Sequence, residues 1–549
     1  MFRRALANND TASIDQKRSG FALRQRFVTD GSAQLAGDFF VPGFFMAEDQ
    51  TAGFPLLIAP MVFGPERWLA KPGVPAHKRW FETGRERMGG SAMQARNEQS
   101  WGVHARATLA LGLPLVGTQI AQIAIATTDV VMLGWYGTEE LAATVLGSQA
   151  FFVVYIFGSG FASAVLPLAA QAEGRNDPTH VRRSVRMGMW ILLLYAVVVM
   201  PLLWQLEPAL IALGQKPELA ALASDYIRIA QWGMFPALMM MALRSFFAAR
   251  SRAGIVLWSA LFGTIVNGIL NYGLIFGHFN LPEMGVRGAA VASVVSSSVI
   301  FLIMAGWAFW HPRHQEYKLF QRFWRPEWPA FFEVFRLGLP IGLTILAEVG
   351  LFLAASVMMG WLGTIQLAAH GIALQLASIS FMVPLGLSNA ATVRIGQAYG
   401  RGDKAGLARA AHTVMGLSVL ISFAAATLFW LMPETLISLF LDESNVDAAE
   451  LLSVAVPLLL VAAGFQLVDA IQAIGAGLLR GIKDTRIPMI MAVISYWPIG
   501  LSAAYGLGFG LGLGGPGIWA GLAVGLGVAA VLLNLRFANR HLFLDVAKA

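Results

Sequence analysis

The 549-residue sequence contains no cysteine. That excludes a disulfide framework, a thiolate metal site and a cysteine nucleophile. Charge is scarce as well. Asp, Glu, Lys and Arg make up 13% of the chain, about half the share found in an average soluble protein. At about 150 residues per domain, a soluble chain of this length would have three or four domain surfaces to cover, and these few charges could not cover them. Walker motifs and Ser/His/Asp or metal-ligand clusters are also missing, so neither ATP-driven chemistry nor enzymatic catalysis is indicated.

The residues that are present suit a lipid solvent. Hydrophobic residues make up 56% of the chain, and there are 57 glycines. An apolar exterior is what a polytopic membrane protein requires. The formal net charge of +7 does not point to nucleic acid, because the basic residues fall in short clusters between apolar runs, as in cytoplasmic loops. No nucleic-acid partner is expected.

Residues 1–105 form a stretch apart, polar and without a long apolar run; extended by one residue, through Arg106, it holds 14 of the 39 Lys and Arg. Two readings stay open: a disordered cytoplasmic tail, or a start-site artefact with translation beginning at Met88 or Met93. The opening residues have no apolar core and are not a secretory signal. From Arg106 onward, apolar runs of roughly 20–27 residues alternate with short linkers, and each run is long enough to cross about 30 Å of hydrocarbon as a helix. They number twelve: 108–133, 142–168, 187–206, 224–247, 254–276, 288–310, 332–359, 367–392, 411–432, 451–478, 487–508 and 514–535. Of the 25 basic residues beyond Arg106, 22 fall in alternate linkers or flanks, and only Lys216, Arg228 and Arg287 fall in the others. Under the positive-inside rule both termini are cytoplasmic.

Residues 112–177 match residues 338–403 without a gap at an offset of 226. Gly112-Leu113-Pro114 returns as Gly338-Leu339-Pro340, Gly134-Trp135 as Gly360-Trp361, Gln149 as Gln375, and Gly174-Arg175 with Asp177 as Gly400-Arg401 with Asp403. Six spans precede the second copy, so the halves share one orientation and are related by an axis along the membrane normal, as in parallel-repeat transporters. The expected layout is a first lobe over 106–310, a linker over 311–331 and a second lobe over 332–549, with a cleft between the lobes that opens to each side in turn. A channel competes with this reading, but no filter motif is visible. Pro114 and Pro340, at matching places, are candidate helix bends.

Three acids lie well inside apolar spans: Asp129, Glu348 and Asp469. An intramembrane carboxylate is costly unless it faces protein, water or an ion, so each is a functional candidate. The alternative for Asp129 is an acid near a span end reaching interfacial water. Burial disfavours the charged form of a carboxyl group, so a proton and a cation compete for it. Such competition is enough for antiport. Gln122 occupies the place of Glu348 in the first copy, and with Gln149 and Gln375 it is a candidate polar residue of the cavity. His370, at the start of the eighth span, reads as an interfacial packing residue.

The run LPLVGTQIAQIAIATTDVVMLGWYG in the first span resembles the opening helix of the MATE (multidrug and toxic compound extrusion) family, NorM-like branch. So do LPIGLTILAEVGLFLAASVMMGWLG with its Glu348 and FQLVDAIQAIGAGLLRGIKDTRIP with its Asp469. The resemblance runs from about Arg106 to about Arg540 and leaves the tail uncovered. It implies an all-α membrane protein, twelve transmembrane helices in two six-helix lobes around a V-shaped cavity. It also implies export of cationic or amphipathic compounds in exchange for Na+ or H+, with no further cofactor. By motif it places the coupling cation at Glu348 and Asp469, as a Na+ site, and at Asp129. A monomer in a bacterial-type inner membrane is expected. Lipid-linked precursor flippases share the twelve-helix plan and form the alternative.

Overall fold

The structure, a computed structural model, describes residues 101–441 and 448–539. The tail up to residue 100, with Met88 and Met93, and the end from Arg540 lie outside the described residues.

Among the described residues, twelve helices are long and apolar enough to cross a membrane. In the first lobe they are α1 Trp101–Tyr136, α2 Thr138–Gly174, α3 Pro178–Trp204, α4 Pro217–Ala249, α5 Ala253–Phe276 and α6 Val286–Trp310. In the second they are α7 Trp328–Leu362, α8 Thr364–Gly400, α9 Lys404–Leu431, α10 Ala448–Gly481, α11 Arg486–Gly510 and α12 Gly514–Ala538. The helices exceed the apolar runs that mark them, because hydropathy registers only the lipid-embedded part. Several, at 33–37 residues, are about 50–55 Å long at 1.5 Å per residue, well beyond the hydrocarbon. Thus α1 begins at Trp101 and α7 at Trp328, and Arg394 and Arg480, beyond the ends of the apolar runs, still lie inside α8 and α10.

The repeated Gly-Arg-x-Asp motif has a local purpose. After α2 the chain turns through Asn176 at φ 56°, and after α8 through Gly402 at φ 70°. This is the left-handed conformation that ends helices and that Asn and Gly tolerate best. Asp177 then caps α3 by accepting the His180 amide at 3.0 Å, and Asp403 caps α9 by accepting the Gly406 amide at 2.8 Å. The same four residues therefore stop one helix and start the next in each lobe. Two departures from regular helix stand out. A 3-10 turn at Gln231–Gly233 interrupts α4, and π-helical segments at Ser495–Leu501 and Gly506–Gly510 widen α11.

The lobes meet through glycine. α7 carries Gly338 and Gly342 four residues apart, the small-xxx-small spacing that lets helix backbones approach closely. A methyl group on Gly160 of α2 would sit 2.3 Å from the Gly342 nitrogen, and one on Gly338 would sit 2.7 Å from the Phe161 Cα. The repeat reproduces this contact. Gly386 of α8, the mate of Gly160, lies against the backbone of Val116 in α1, the mate of Gly342. The core of the first lobe accordingly takes in Val334, Leu337 and Ile341 of α7 together with Ala390 and Val393 of α8. A separate core cluster, including Ala463, Trp519 and Leu526, fills the second lobe.

Candidate functional site

Asp129 of α1 is 8% exposed. Oδ1 accepts from Asn267 Nδ2 at 3.1 Å and Asn271 Nδ2 at 2.5 Å, both on α5, and Oδ2 accepts from the Ser293 hydroxyl of α6 at 2.7 Å. Asn271 also donates to Asn267 Oδ1 at 3.2 Å, which ties the two amides together. This corrects the interfacial reading: the acid is sealed inside the lobe and its charge is met by three donors. Asn271 Oδ1 has no protein partner, which leaves a neutral oxygen of the kind hard cations take as a ligand. The sequence reading missed Asn267, Asn271 and Ser293. The available signal was the Asn-x-x-x-Asn spacing, which puts two amides on one face of an apolar helix.

The second lobe holds the other two acids. Asp469 of α10 is 5% exposed, and its Oδ1 has no protein partner. Neither do Gln466 Oε1, one turn earlier on α10, Gln472 Oε1, one turn later, or Ser495 Oγ on α11. Gln472 Nε2 donates to the Tyr496 hydroxyl at 2.7 Å, so the π-helical segment presents a fully buried phenol to the acid helix. Glu348 of α7 is half-buried; the carbonyl of its neighbour Ala347 accepts from Trp497 Nε1 of the same π-helical segment at 3.2 Å, and Thr344, one turn earlier, lines a small cavity with Arg480. Buried polar atoms are normally paired, so several partnerless oxygens around a carboxylate suit an oxygen-coordinated cation. Among the described residues no three His, Cys, Asp or Glu cluster as for a transition metal. Arg480 was not read from sequence as part of this site, because it sits at the end of α10 where the basic linkers begin. His370 is fully buried, not interfacial. Its Nδ1 accepts from Trp519 Nε1 at 3.1 Å, and Nε2 pairs with the Ser356 hydroxyl at 3.0 Å. With Nδ1 used as an acceptor, the ring is neutral and structural.

Gln149 and Gln375 are exposed, Gln122 is half-buried, and no hydrogen bond within the protein engages any of them. Gln149 lies eleven residues, about three helical turns, before Gly160 on the same stripe of α2. Gln375 stands in the same relation to Gly386. Both amides therefore face the opposite lobe, beyond the point where the glycine crossings hold the lobes together. Pro114 and Pro340 lie inside α1 and α7, which continue through them. Thr118 and Thr344, again repeat mates, donate back to the Pro114 and Pro340 carbonyls at 2.8 Å, a bond that tends to bend helices.

On the basic face the lobes are latched. Gln171 Nε2 of α2 donates to the Gly481 carbonyl of α10 at 2.8 Å, and its mate Gln397 Nε2 of α8 donates to the Ala249 carbonyl of α4 at 2.7 Å. Ser251 and Lys483, each two residues beyond the acceptor and each at positive φ, mark the same turn in both lobes. The latch is therefore reciprocal: each lobe gives one glutamine and one carbonyl. Gly174 and Gly400 allow it, since a methyl group on either would press to 2.3 or 2.2 Å against the facing backbone oxygen of Gln397 or Gln171. Arg394 of α8 adds hydrogen bonds to the His104 carbonyl and the Thr108 hydroxyl of α1. A cavity of about 990 Å³ lined by His104, Arg394 and Arg401 lies at this closure, not at the acids.

Two six-helix lobes, shut on one face and holding buried acids within each, define a polytopic membrane transporter and not an enzyme. A MatE family model matches residues 114–273 and 340–505, one stretch per lobe, each beginning on one of the paired prolines. A Rhizobium meliloti protein named "Probable multidrug resistance protein NorM" is 54% identical over 443 residues, covering 81% of this chain and 95% of the relative. An Agrobacterium fabrum protein of the same name is 52% identical over 438 residues, covering 80% and 94%. Among solved structures, a eukaryotic MATE transporter superposes with TM-score 0.74 at 20% identity, covering 82% of this chain and 99% of the other. An outward-facing multidrug resistance MATE family transporter of the MOP superfamily gives TM-score 0.73 at 22% identity, covering 81% and 97%. The chain belongs to the MatE family.

Proposed function

We propose that this chain is a secondary multidrug efflux transporter that exports cationic or amphipathic compounds by antiport with Na+ or H+. It sits as a monomer in a bacterial inner membrane with its basic face and both termini in the cytoplasm. Relatives over 50% identical that carry a multidrug-resistance name support the substrate class and give no support to a lipid-linked precursor flippase. The observation that carries the antiport mechanism is the sealed Asp469 oxygen with partnerless amide and hydroxyl oxygens near it. A site of this kind is stabilised by a bound cation, and these hard oxygen donors favour Na+. Cation entry and substrate binding then bias a two-state carrier in opposite senses, each by its differential affinity for the two states.

Efflux of a cationic dye from proteoliposomes, under separately imposed Na+ and H+ gradients, tests the mechanism. Glu348→Gln or Asp469→Asn is expected to abolish gradient-driven efflux while the protein still inserts. Unchanged efflux in both variants would remove those residues from the coupling site. Flux that needs no gradient and does not saturate would mark a channel.

A further inference from the structure

The start of α3, the linker after α6 and the start of α7 enclose a cavity of about 700 Å³ that belongs to neither acid site. Five arginines line it: Arg182, Arg183, Arg186, Arg322 and Arg325. Two carboxylates share the cavity, and both are engaged. Glu327 holds Arg183 at 2.8 Å and Arg186 at 2.5 Å, while Glu333 holds Lys483 at 2.8 Å and faces His180 at 3.7 Å. Arg182, Arg322 and Arg325 have no acid partner among the described residues, and Arg182 Nε is sealed from solvent without a hydrogen bond. A buried guanidinium N–H left unpaired is costly. The cavity is therefore a concave cationic site in which guanidinium groups outnumber carboxylates.

It is also built to hold its shape. Arg186, whose side chain is 2% exposed, donates to the Gln321 and Arg322 carbonyls at 3.4 and 3.0 Å, and Trp190 Nε1 donates to the Phe323 carbonyl at 3.0 Å. These bonds fix the linker with Arg322 in the left-handed region at φ 54°. Beside the cavity, Trp324 and Trp328 are 79% and 56% exposed, as interfacial anchors at headgroup depth are.

We propose that this cavity binds the phosphate group of an anionic phospholipid in the leaflet on the basic face. Guanidinium pairs are the side chains best matched to phosphate oxygens, and basic pockets at helix ends on the cytoplasmic side recognise anionic headgroups. A free phosphate ion shares the charge chemistry, but it has no use for the two exposed tryptophans, which favour an acyl-anchored ligand. Because the cavity spans α3 of one lobe and α7 of the other, the bound headgroup clamps the lobes on their closed face.

Purified full-length protein in a neutral detergent, titrated with phosphatidylglycerol, phosphatidylcholine or inorganic phosphate, tests this by thermal unfolding and by native mass spectrometry of retained lipid. Phosphatidylglycerol is expected to be retained and to raise the unfolding temperature at lower concentration than phosphatidylcholine. Replacing both unpaired surface arginines (R322Q with R325Q) should weaken that binding roughly thirtyfold, from about fivefold per basic residue near a headgroup. The single variant R182Q should weaken it too, while R401Q in the other basic cavity should leave it intact. Three results overturn the proposal: equal phosphatidylglycerol affinity in wild type and R322Q/R325Q, no preference over phosphatidylcholine, or the same stabilisation by inorganic phosphate, which would make the cavity a soluble-anion site.

Discussion

At the scale of single residues, the contrast between the two acid sites is one of satisfaction. Asp129 is met by three donors drawn from two other helices, whereas Asp469 keeps an oxygen with no protein partner. The first arrangement ties three helices together through protein donors alone, and the second leaves an oxygen for the proposed cation. Replacing Asn271 by Leu removes the shortest of the Asp129 bonds but leaves Asn267 donating to the same oxygen, whereas Ser293→Ala takes away the one donor that Oδ2 has among the described residues. A loss of about 1 kcal/mol is expected for Asn271→Leu, against about 2–3 kcal/mol for Ser293→Ala, which leaves a buried carboxylate oxygen unpaired. Thermal unfolding in detergent checks the order of the two. Equal losses would show that the amide and the hydroxyl contribute alike.

Among the elements, the glycine crossings are the points of least tolerance. Gly160 faces a backbone nitrogen of α7, so no rotamer change can relieve an added side chain. Gly160→Val should force α2 and α7 apart at a cost of about 1–3 kcal/mol, whereas Gly254, with nothing near its Cβ position, should accept alanine with little effect. Comparing the two variants by unfolding temperature separates crossing strain from helix propensity. Much of this level was legible in the chain. The twelve spans and the 226-residue repeat follow from hydropathy and from Gly, Pro, Gln and Asp in a common register, and the three acids stand out because lipid tolerates so few. The π-helical widening at Tyr496 and the inclusion of Arg480 in the acid site were not legible, since neither changes the composition of its span. The donors to Asp129 were hidden for another reason: Asn and Ser are unremarkable in an apolar helix until the fold shows what they face. The turn motif lay between. Its repetition was plain, but its meaning as a helix stop joined to a cap needed the backbone angles.

For the whole molecule, the closed basic face is a two-state element whose balance can be shifted bond by bond. A buried hydrogen bond contributes about 1 kcal/mol net, so Gln171→Ala and Gln397→Ala should each move the closed-to-open ratio several-fold, and the double variant roughly thirtyfold. The absence of native cysteine makes the measurement clean. A single cysteine placed at Ala398, which is buried at the latch, should react slowly with a water-soluble maleimide in the parent and faster in each glutamine variant. No change in the double variant would show that the glycine crossings alone keep the face shut.

The reciprocal latch is symmetric in its bonds but not in its attachments. The carbonyl that receives Gln171 ends α10, the helix that also carries Asp469, Gln472 and Arg480, and only twelve residues of continuous helix, about 18 Å, separate acid from acceptor. The carbonyl that receives Gln397 ends α4, whose two acids, Glu218 and Asp225, lie near its opposite end, with Asp225 paired to Arg287. A lever with a buried acid at one end and a bolt at the other therefore exists in one lobe alone. If the proposed cation binds at that acid, a tilt of α10 on its entry or exit would draw one bolt directly, and the other could follow only as the lobes part.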